Sequence, residues 1–121
     1  MVERVVGLES IQEFYDQETN KVVGILKKAN PVRIIRFGSV ARGEPRPESD
    51  LDLCVLIEWQ DDRPAFRIVQ SFYRLLSKHK YSYPIDVEFK AYRPAEFDEL
   101  LRRGNYFVEE IAAGEVVYER D

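Results

Sequence analysis

The stretch Asp50–Trp59, DLDLCVLIEW, restricts the fold of this chain more than any other segment. A short apolar run of this kind is typical of a buried β-strand. Side chains two apart on a strand share a face, so Asp50 and Asp52 lie on one face with Cys54, and the leucines between them lie on the other. Burying carboxylates at the start of an apolar strand is unfavourable unless a positively charged group lies beside them. The stretch therefore predicts a buried strand whose two aspartates face either an arginine or a metal ion.

Helical and strand patterns are found on both sides of this strand. Asn30-Pro31 ends a first helical segment, because a residue before proline avoids the helical region. That segment contains a polar stretch, Asp16–Asn20, which we interpret as a break or an exposed turn. The predicted elements are, in order, a helix over about residues 8–30, strands at Val32–Phe37 and Asp50–Trp59, a helix from Pro64 to Lys80, a strand at Tyr83–Tyr92, helices at Pro94–Arg103 and Asn105–Gly114, and a short strand at Val116–Glu119. This order predicts a small α/β fold with helices packed on one sheet.

Composition narrows the class of protein. The 121 residues fit one domain, and the single cysteine, Cys54, excludes an internal disulfide and is expected to be a buried structural thiol. A net charge of −4 argues against nucleic acid as a direct ligand held by phosphate contacts. No apolar run approaches the roughly 18 residues that cross a membrane. Met1–Gly7 lacks the layout of a signal peptide, so we expect a cytoplasmic location.

Acidic residues on two predicted strands indicate a metal site. The strand rise places the carboxylates of Asp50 and Asp52 within about 7 Å of each other. That separation suits either one shared cation or two cations about 3.5–4 Å apart, and oxygen ligands of this kind suit Mg²⁺. On the next strand, Asp86 and Glu88 share a face. If the two strands pair, Asp86 approaches the two aspartates and either completes a second metal site or accepts the proton of an attacking hydroxyl.

A glycine-serine turn follows the first predicted strand. Gly38 permits a positive φ and a close approach of the backbone to a phosphate, and free amides at the start of a helical turn would bind the anion. The hydroxyl of Ser39 can add a hydrogen bond. Arg42 lies three residues further, so one helical turn would bring it back to the same phosphate. Alternatively, Arg42 and Arg46 form salt bridges with neighbouring acidic side chains.

Gly38-Ser39, ten intervening residues and then Asp50-x-Asp52 resemble the G-S-x10-D-x-D signature of the DNA polymerase β-like nucleotidyltransferase superfamily. The longer string GSVARGEPRPESDLDL resembles the minimal nucleotidyltransferases (MNT), which are the antitoxin partners of HEPN-domain toxins. The resemblance extends from about Pro31 to the end of the chain. It implies that residues 1–121 form a single nucleotidyltransferase domain, with an N-terminal helical segment over about residues 8–30 and a catalytic core over about residues 31–121.

The resemblance also assigns roles to residues. It implies a small mixed sheet flanked by helices in which Gly38 and Ser39 bind the triphosphate. Asp50, Asp52 and Asp86 would form the catalytic triad and hold Mg²⁺, with two ions expected. The implied reaction transfers AMP from ATP to a hydroxyl and releases pyrophosphate. In pairs that resemble this one, the acceptor is a tyrosine of the HEPN toxin, so this chain would be the antitoxin and could form a hetero-oligomer with its partner.

Two other functions remain open at the level of sequence. The chain could be a non-catalytic antitoxin that neutralises a toxin by binding, although three converging carboxylates count against this. It could also transfer a nucleotide to a small molecule. The short stretch after the third strand, about thirty residues, leaves too little chain for a second, acceptor-binding domain, which disfavours that function unless the protein dimerises. No adenine-specific motif is evident, so the base preference is also open.

Overall fold

The computed structural model describes residues 8–121, so the interpretation of Met1–Gly7 lies outside the described residues. This part of the chain contains both helices and strands, with one 3-10 turn at Lys27–Ala29 after the first helix. None of the helices within residues 8–121 combines the length and the apolar character needed to span a bilayer. The elements are α1 (Leu8–Leu26), β1 (Arg33–Phe37), α2 (Gly38–Ala41), β2 (Leu51–Leu56), α3 (Ala65–Lys78), β3 (Val87–Tyr92), α4 (Pro94–Arg102), α5 (Tyr106–Ala112) and β4 (Glu115–Glu119).

The four strands form one mixed sheet in the order β3-β2-β1-β4. β1 is antiparallel to both β2 and β4, whereas β2 and β3 are parallel. The register places Asp52 opposite Phe37 on one side and opposite Glu88 on the other. The prediction of a small mixed sheet flanked by helices is therefore confirmed, and the predicted last strand pairs with β1.

The alternation predicted for β2 is also confirmed, because its two faces contribute to different clusters of buried side chains. Leu51 and Leu53 are fully buried in the larger cluster, together with residues of α1 and α3 such as Leu26 and Phe72. Cys54 faces the other way and packs with residues of α4 and α5. Burial raises the pKa of the Cys54 thiol to about 12, so the thiol is neutral and structural, as expected.

The predicted break at Asp16–Asn20 is wrong, since α1 is continuous through these residues. Glu18 and Thr19 are almost completely buried, and long-range partners satisfy both side chains. The hydroxyl of Tyr81 donates to Oε1 of Glu18 at 2.9 Å, and Arg36 donates to Oγ1 of Thr19 at 2.8 Å. A helix can bury polar side chains when each of them has a hydrogen-bond partner, so a polar stretch in the sequence need not interrupt it.

Two predicted strands are longer than the observed ones. β3 begins at Val87 and not at Tyr83, because Tyr83 has a left-handed backbone with φ 54°, which a strand does not contain. β2 ends at Leu56 and not at Trp59. The guanidinium of Arg93 lies 3.9 Å from the centre of the Trp59 ring and donates to the Trp59 carbonyl at 2.9 Å. These contacts fix Trp59 outside the sheet.

The predicted helix start at Asn105 is confirmed. Its side-chain oxygen accepts a hydrogen bond from the amide of Val108 at 3.0 Å, which satisfies one of the free amides at the start of α5. α5 packs on β1, close to the point where that strand ends at Phe37. This end of the sheet contains the residues with predicted functional roles.

Candidate metal and nucleotide site

Three carboxylates meet where β2 and β3 begin. Single carboxylate oxygens of Asp50, Asp52 and Glu88 all lie within 4.8 Å of one another. Asp50 directly precedes β2 and shares a face with Asp52, and the parallel register places Glu88 beside Asp52. We call these three residues the acidic cluster. Carboxylate oxygens so close together are a ligand set that could hold a hard divalent cation such as Mg²⁺.

Burial and neighbouring negative charge both act on the pKa of Asp52. Partial burial, followed by the charges of Glu88 and Asp50, raises this pKa from the ordinary 3.8 to about 6, while the ammonium of Lys90 opposes the increase. Within residues 8–121, no salt bridge joins the acidic cluster to an arginine or a lysine. The cluster therefore concentrates negative charge without a protein counter-ion in contact, an arrangement that a bound cation would stabilise.

Glu88, and not the expected Asp86, is the third carboxylate of the acidic cluster. Asp86 is exposed, precedes β3, and accepts a hydrogen bond from the amide of Leu51 through its backbone carbonyl at 2.8 Å. Its side chain is not among the three that lie within 4.8 Å of one another. The alternation in IDVEF did place Asp86 and Glu88 on one face, but only the strand register decides which of them lies beside Asp52. A catalytic role of Asp86 stays a prediction.

The turn at Gly38 lies against the acidic cluster. Gly38 has φ 81° and begins α2, directly after the residue that pairs with Asp52. A Cβ added to Gly38 would meet Oδ2 of Asp52, so the Asp52 side chain would have to move, and the positive φ independently favours glycine here. Phe37 precedes α2 in an extended conformation and provides no side-chain cap. The first amides of this helical turn therefore have no partner from a capping side chain.

Ser39 and Arg42 lie on the same turn. The hydroxyl of Ser39 donates to Oγ of Ser49 at 3.2 Å, so it is linked to the loop that precedes Asp50. Arg42 is exposed, with its Nε 3.9 Å from a carboxylate oxygen of Glu44, which is the neighbouring salt bridge considered above. Arg42 and Gly38 also line an open cavity of about 450 Å³ between α2 and α5. The structure thus places Gly38 beside the cluster, with Ser39 and Arg42 following on α2 and at its end.

Three residues near the site were not predicted. The role of Glu88 depends on the strand register. Lys90 follows Glu88 on β3 and affects Asp52 by its charge, with its ammonium 5.9 Å from the ring centre of Phe107. The buried Tyr15 on α1 contacts the loop before Asp50 through its hydroxyl, 31 to 34 residues away in sequence. No local pattern could indicate that contact, because tyrosines on the inner face of a helix are usually explained by packing alone.

Comparisons with known proteins found a family model and a solved structure to which this chain is similar. A family model described as a nucleotidyltransferase domain matches residues 19–113, from the middle of α1 to the end of α5. A solved structure described as "Structure of putative minimal nucleotidyltransferase" is 25% identical, with a TM-score of 0.47, and the match covers 96% of this chain and 99% of that chain. No curated protein matches the chain.

Proposed function

The chain belongs to the nucleotidyltransferase domain family, and on this premise we propose that it transfers AMP from ATP to a protein hydroxyl in an Mg²⁺-dependent reaction. The observation that carries this proposal is the contact between two features. An acidic cluster able to hold a divalent cation lies directly against a glycine turn suited to bind phosphates. A nucleoside triphosphate with its metal requires both features side by side.

The donor set fits Mg²⁺, since all three members of the cluster offer oxygen ligands and two of them, Asp50 and Glu88, are exposed to solvent. When bound, the cation would offset the charge that builds on the transferred phosphoryl group and on the leaving pyrophosphate. The amides at the start of α2 and the hydroxyl of Ser39 would bind the outer phosphates and hold them in line. Most of the rate in such transfers comes from positioning and charge stabilisation of this kind.

At the α-phosphorus the reaction forms one bond and breaks one, and a proton is transferred separately. The acceptor oxygen bonds to the α-phosphorus of ATP while the bond from that phosphorus to the bridging oxygen of the β-phosphate breaks. The proton of the acceptor hydroxyl passes to a carboxylate near the cluster, for which the exposed Asp86 is our candidate. AMP remains on the acceptor and pyrophosphate leaves.

A protein acceptor suits the exposure of the site. Asp50, Asp86 and Glu88 are all exposed, so a side chain presented by another protein can reach them. The string GSVARGEPRPESDLDL, with its resemblance to MNT antitoxins, supports a tyrosine of a HEPN-domain toxin as the acceptor. We accordingly propose that the protein acts as an antitoxin that inactivates its partner by this modification.

The test is a transfer assay with ATP labelled either at the α- or at the γ-phosphate, together with Mg²⁺ and the HEPN partner. We expect label from the α-phosphate, but not from the γ-phosphate, to appear on the partner. The variant Asp50→Asn with Asp52→Asn should abolish labelling, because neutral amides bind Mg²⁺ poorly. The variant Asp61→Asn with Asp62→Asn changes the net charge equally in the exposed turn before α3 and should leave labelling intact.

Two outcomes would overturn the proposal. Absence of α-label on the partner, with the wild-type protein folded, would refute protein adenylylation. If the Asp50→Asn, Asp52→Asn variant still neutralised the toxin in cells as well as the wild type does, inhibition would occur by binding and not by catalysis.

A further inference from the structure

One buried hydroxyl organises the loop that leads to Asp50. Tyr15 on α1 is 1% exposed, and its hydroxyl oxygen lies 2.6 Å from the carbonyl oxygen of Ser49, 3.0 Å from that of Arg46 and 3.3 Å from that of Pro47. A hydroxyl has a single proton to donate, so the short contact to Ser49 is the principal hydrogen bond and the other two share the proton. Residues 46–49 of this loop are not part of a β-strand, and the Tyr15 hydroxyl attaches them to α1.

Ser49 transmits that attachment to the site. Its hydroxyl oxygen accepts the amide of Arg46 at 2.8 Å and the hydroxyl of Ser39 at 3.2 Å. The next residue is Asp50, the member of the acidic cluster that lies outside β2 and lacks the support of a strand ladder. The Tyr15 hydroxyl therefore fixes the backbone of Ser49, one residue before the candidate metal ligand Asp50. It thereby also holds the residue that accepts a hydrogen bond from Ser39 of the phosphate-binding turn.

A second tyrosine has the matching place on β3. The hydroxyl of Tyr73, on α3, donates to the carbonyl of Val87 at 2.7 Å, one residue before Glu88. β3 is an edge strand, and its even-numbered carbonyls face β2, as the bonds from Leu51 to Asp86 and from Ile57 to Tyr92 show. The carbonyl of Val87 therefore points to the open edge. Tyr73 supplies there the hydrogen bond that a further strand would otherwise provide.

We propose that Tyr15 and Tyr73 are positioning residues for the metal site, a role that rests on the function proposed above. Asp52 lies within the ladder, with a strand on each side. Asp50 precedes the ladder, and Glu88 has a strand on one side only. Metal ligands must be held within about 0.5 Å of the productive geometry. Asp50 and Glu88 are thus the candidate ligands with the weakest backbone support. They are also the two that directly follow a carbonyl that accepts a hydrogen bond from a tyrosine hydroxyl.

Three tyrosine-to-phenylalanine variants separate positioning from general stability. Tyr15→Phe and Tyr73→Phe keep the rings and their packing and remove one hydroxyl each. Tyr81→Phe is the matched control, because its buried hydroxyl donates to Glu18 at 2.9 Å, which links α1 to the segment after α3 and does not involve the acidic cluster. All three variants should lose thermal stability, and Tyr81→Phe should lose at least as much as the other two, because its hydroxyl donates to a buried carboxylate.

The first measurement is calorimetric titration with Mn²⁺ as the probe, with and without ATP. We expect the Mn²⁺ dissociation constant to increase about tenfold in Tyr15→Phe and in Tyr73→Phe, as for the loss of a residue that orients a metal ligand. Tyr81→Phe should stay within about twofold of the wild type. An increase in only one of the two variants would overturn the role of the other tyrosine.

The second measurement is amide hydrogen exchange without metal. Exchange should accelerate in the peptide over residues 44–51 for Tyr15→Phe and over residues 85–90 for Tyr73→Phe, with no such change in Tyr81→Phe. Suppose that the wild type binds Mn²⁺ and that both variants keep its Mn²⁺ affinity and its exchange rates. This result would overturn the positioning role and leave the metal site itself in place. Failure of the wild type to bind Mn²⁺ would instead overturn the metal site, and with it the positioning role.

Discussion

Replacing Asp52 by asparagine should stabilise the metal-free protein at neutral pH. The pKa of Asp52 rises from 3.8 to about 6 on folding, because of burial and the charges of Glu88 and Asp50. A carboxyl with a raised pKa favours folding when it is protonated, and this contribution is lost as pH increases from about 4 to about 6. Above that range the ionised Asp52 opposes folding. Asparagine keeps the shape of the side chain and removes the charge.

The magnitude follows from the size of the shift. An increase of about two units corresponds to about 3 kcal/mol as an upper limit. Asp50 and Glu88 are exposed, so solvent screens their repulsion, and we reduce the expected gain in the free energy of unfolding to about 1–2 kcal/mol. The assay is urea denaturation with a chelator at pH 7.5 and at pH 4. The gain should be present at pH 7.5 and nearly absent at pH 4.

The control is Asp62→Asn, which removes an exposed carboxylate in the turn before α3 and should change stability by less than about 0.5 kcal/mol. Mg²⁺ with ATP should then stabilise the wild type and not Asp52→Asn. A variant that is less stable than the wild type at pH 7.5, or a gain of equal size at both pH values, would refute the electrostatic explanation of the cluster.

Three further predictions concern neighbouring positions. Gly38→Ala should abolish the thermal shift caused by Mg²⁺ and ATP, because its Cβ meets Asp52. Gly43 has a similar φ of 75° with open space around it, so the control variant Gly43→Ala should keep the shift. Equal loss of the shift in both variants would mean that backbone strain alone is responsible. Glu88→Gln should weaken Mn²⁺ binding in calorimetry more than Asp86→Asn does, and the reverse order would restore Asp86 to the metal site. Cys54 should resist thiol reagents such as DTNB until the protein unfolds, because its pKa is about 12 and its side chain is fully buried; rapid reaction of the folded protein would contradict its structural role.

The order of elements and the faces of β2 could be predicted from sequence because they depend on local periodicity. Leu51, Leu53 and Cys54 take the faces that alternation assigns to them. The identity of the third carboxylate could not be predicted in the same way. Asp86 and Glu88 satisfy alternation equally well, and the choice between them depends on the pairing of β3 with β2, which is a non-local property.

The continuity of α1 depends on distant partners in the same way. Glu18 and Thr19 look like surface residues in a local window, yet they are buried because Tyr81 and Arg36 approach them from other elements. Tyr15 is the opposite case. Its ring could be assigned to the core from helical spacing, but the use of its hydroxyl depends on a loop more than thirty positions away. Local patterns therefore predict the burial of apolar groups better than they predict the burial and the contacts of polar atoms.

The distribution of arginines bears on the choice between a protein counter-ion and a metal ion for the aspartates of β2. Arg36 lies two residues before Gly38, but its guanidinium is buried on the α1 side, 2.9 Å from carboxylate oxygens of Asp16 and Glu115. The fold thus places a neighbouring buried arginine with two other acidic side chains and leaves the acidic cluster, within residues 8–121, without a basic side chain in contact. Partial burial of Asp52, together with repulsion from Glu88 and Asp50, raises the pKa of Asp52 and destabilises the metal-free protein. That cost is explained if the cluster binds a divalent cation, because the same repulsion then becomes the source of affinity for the ion.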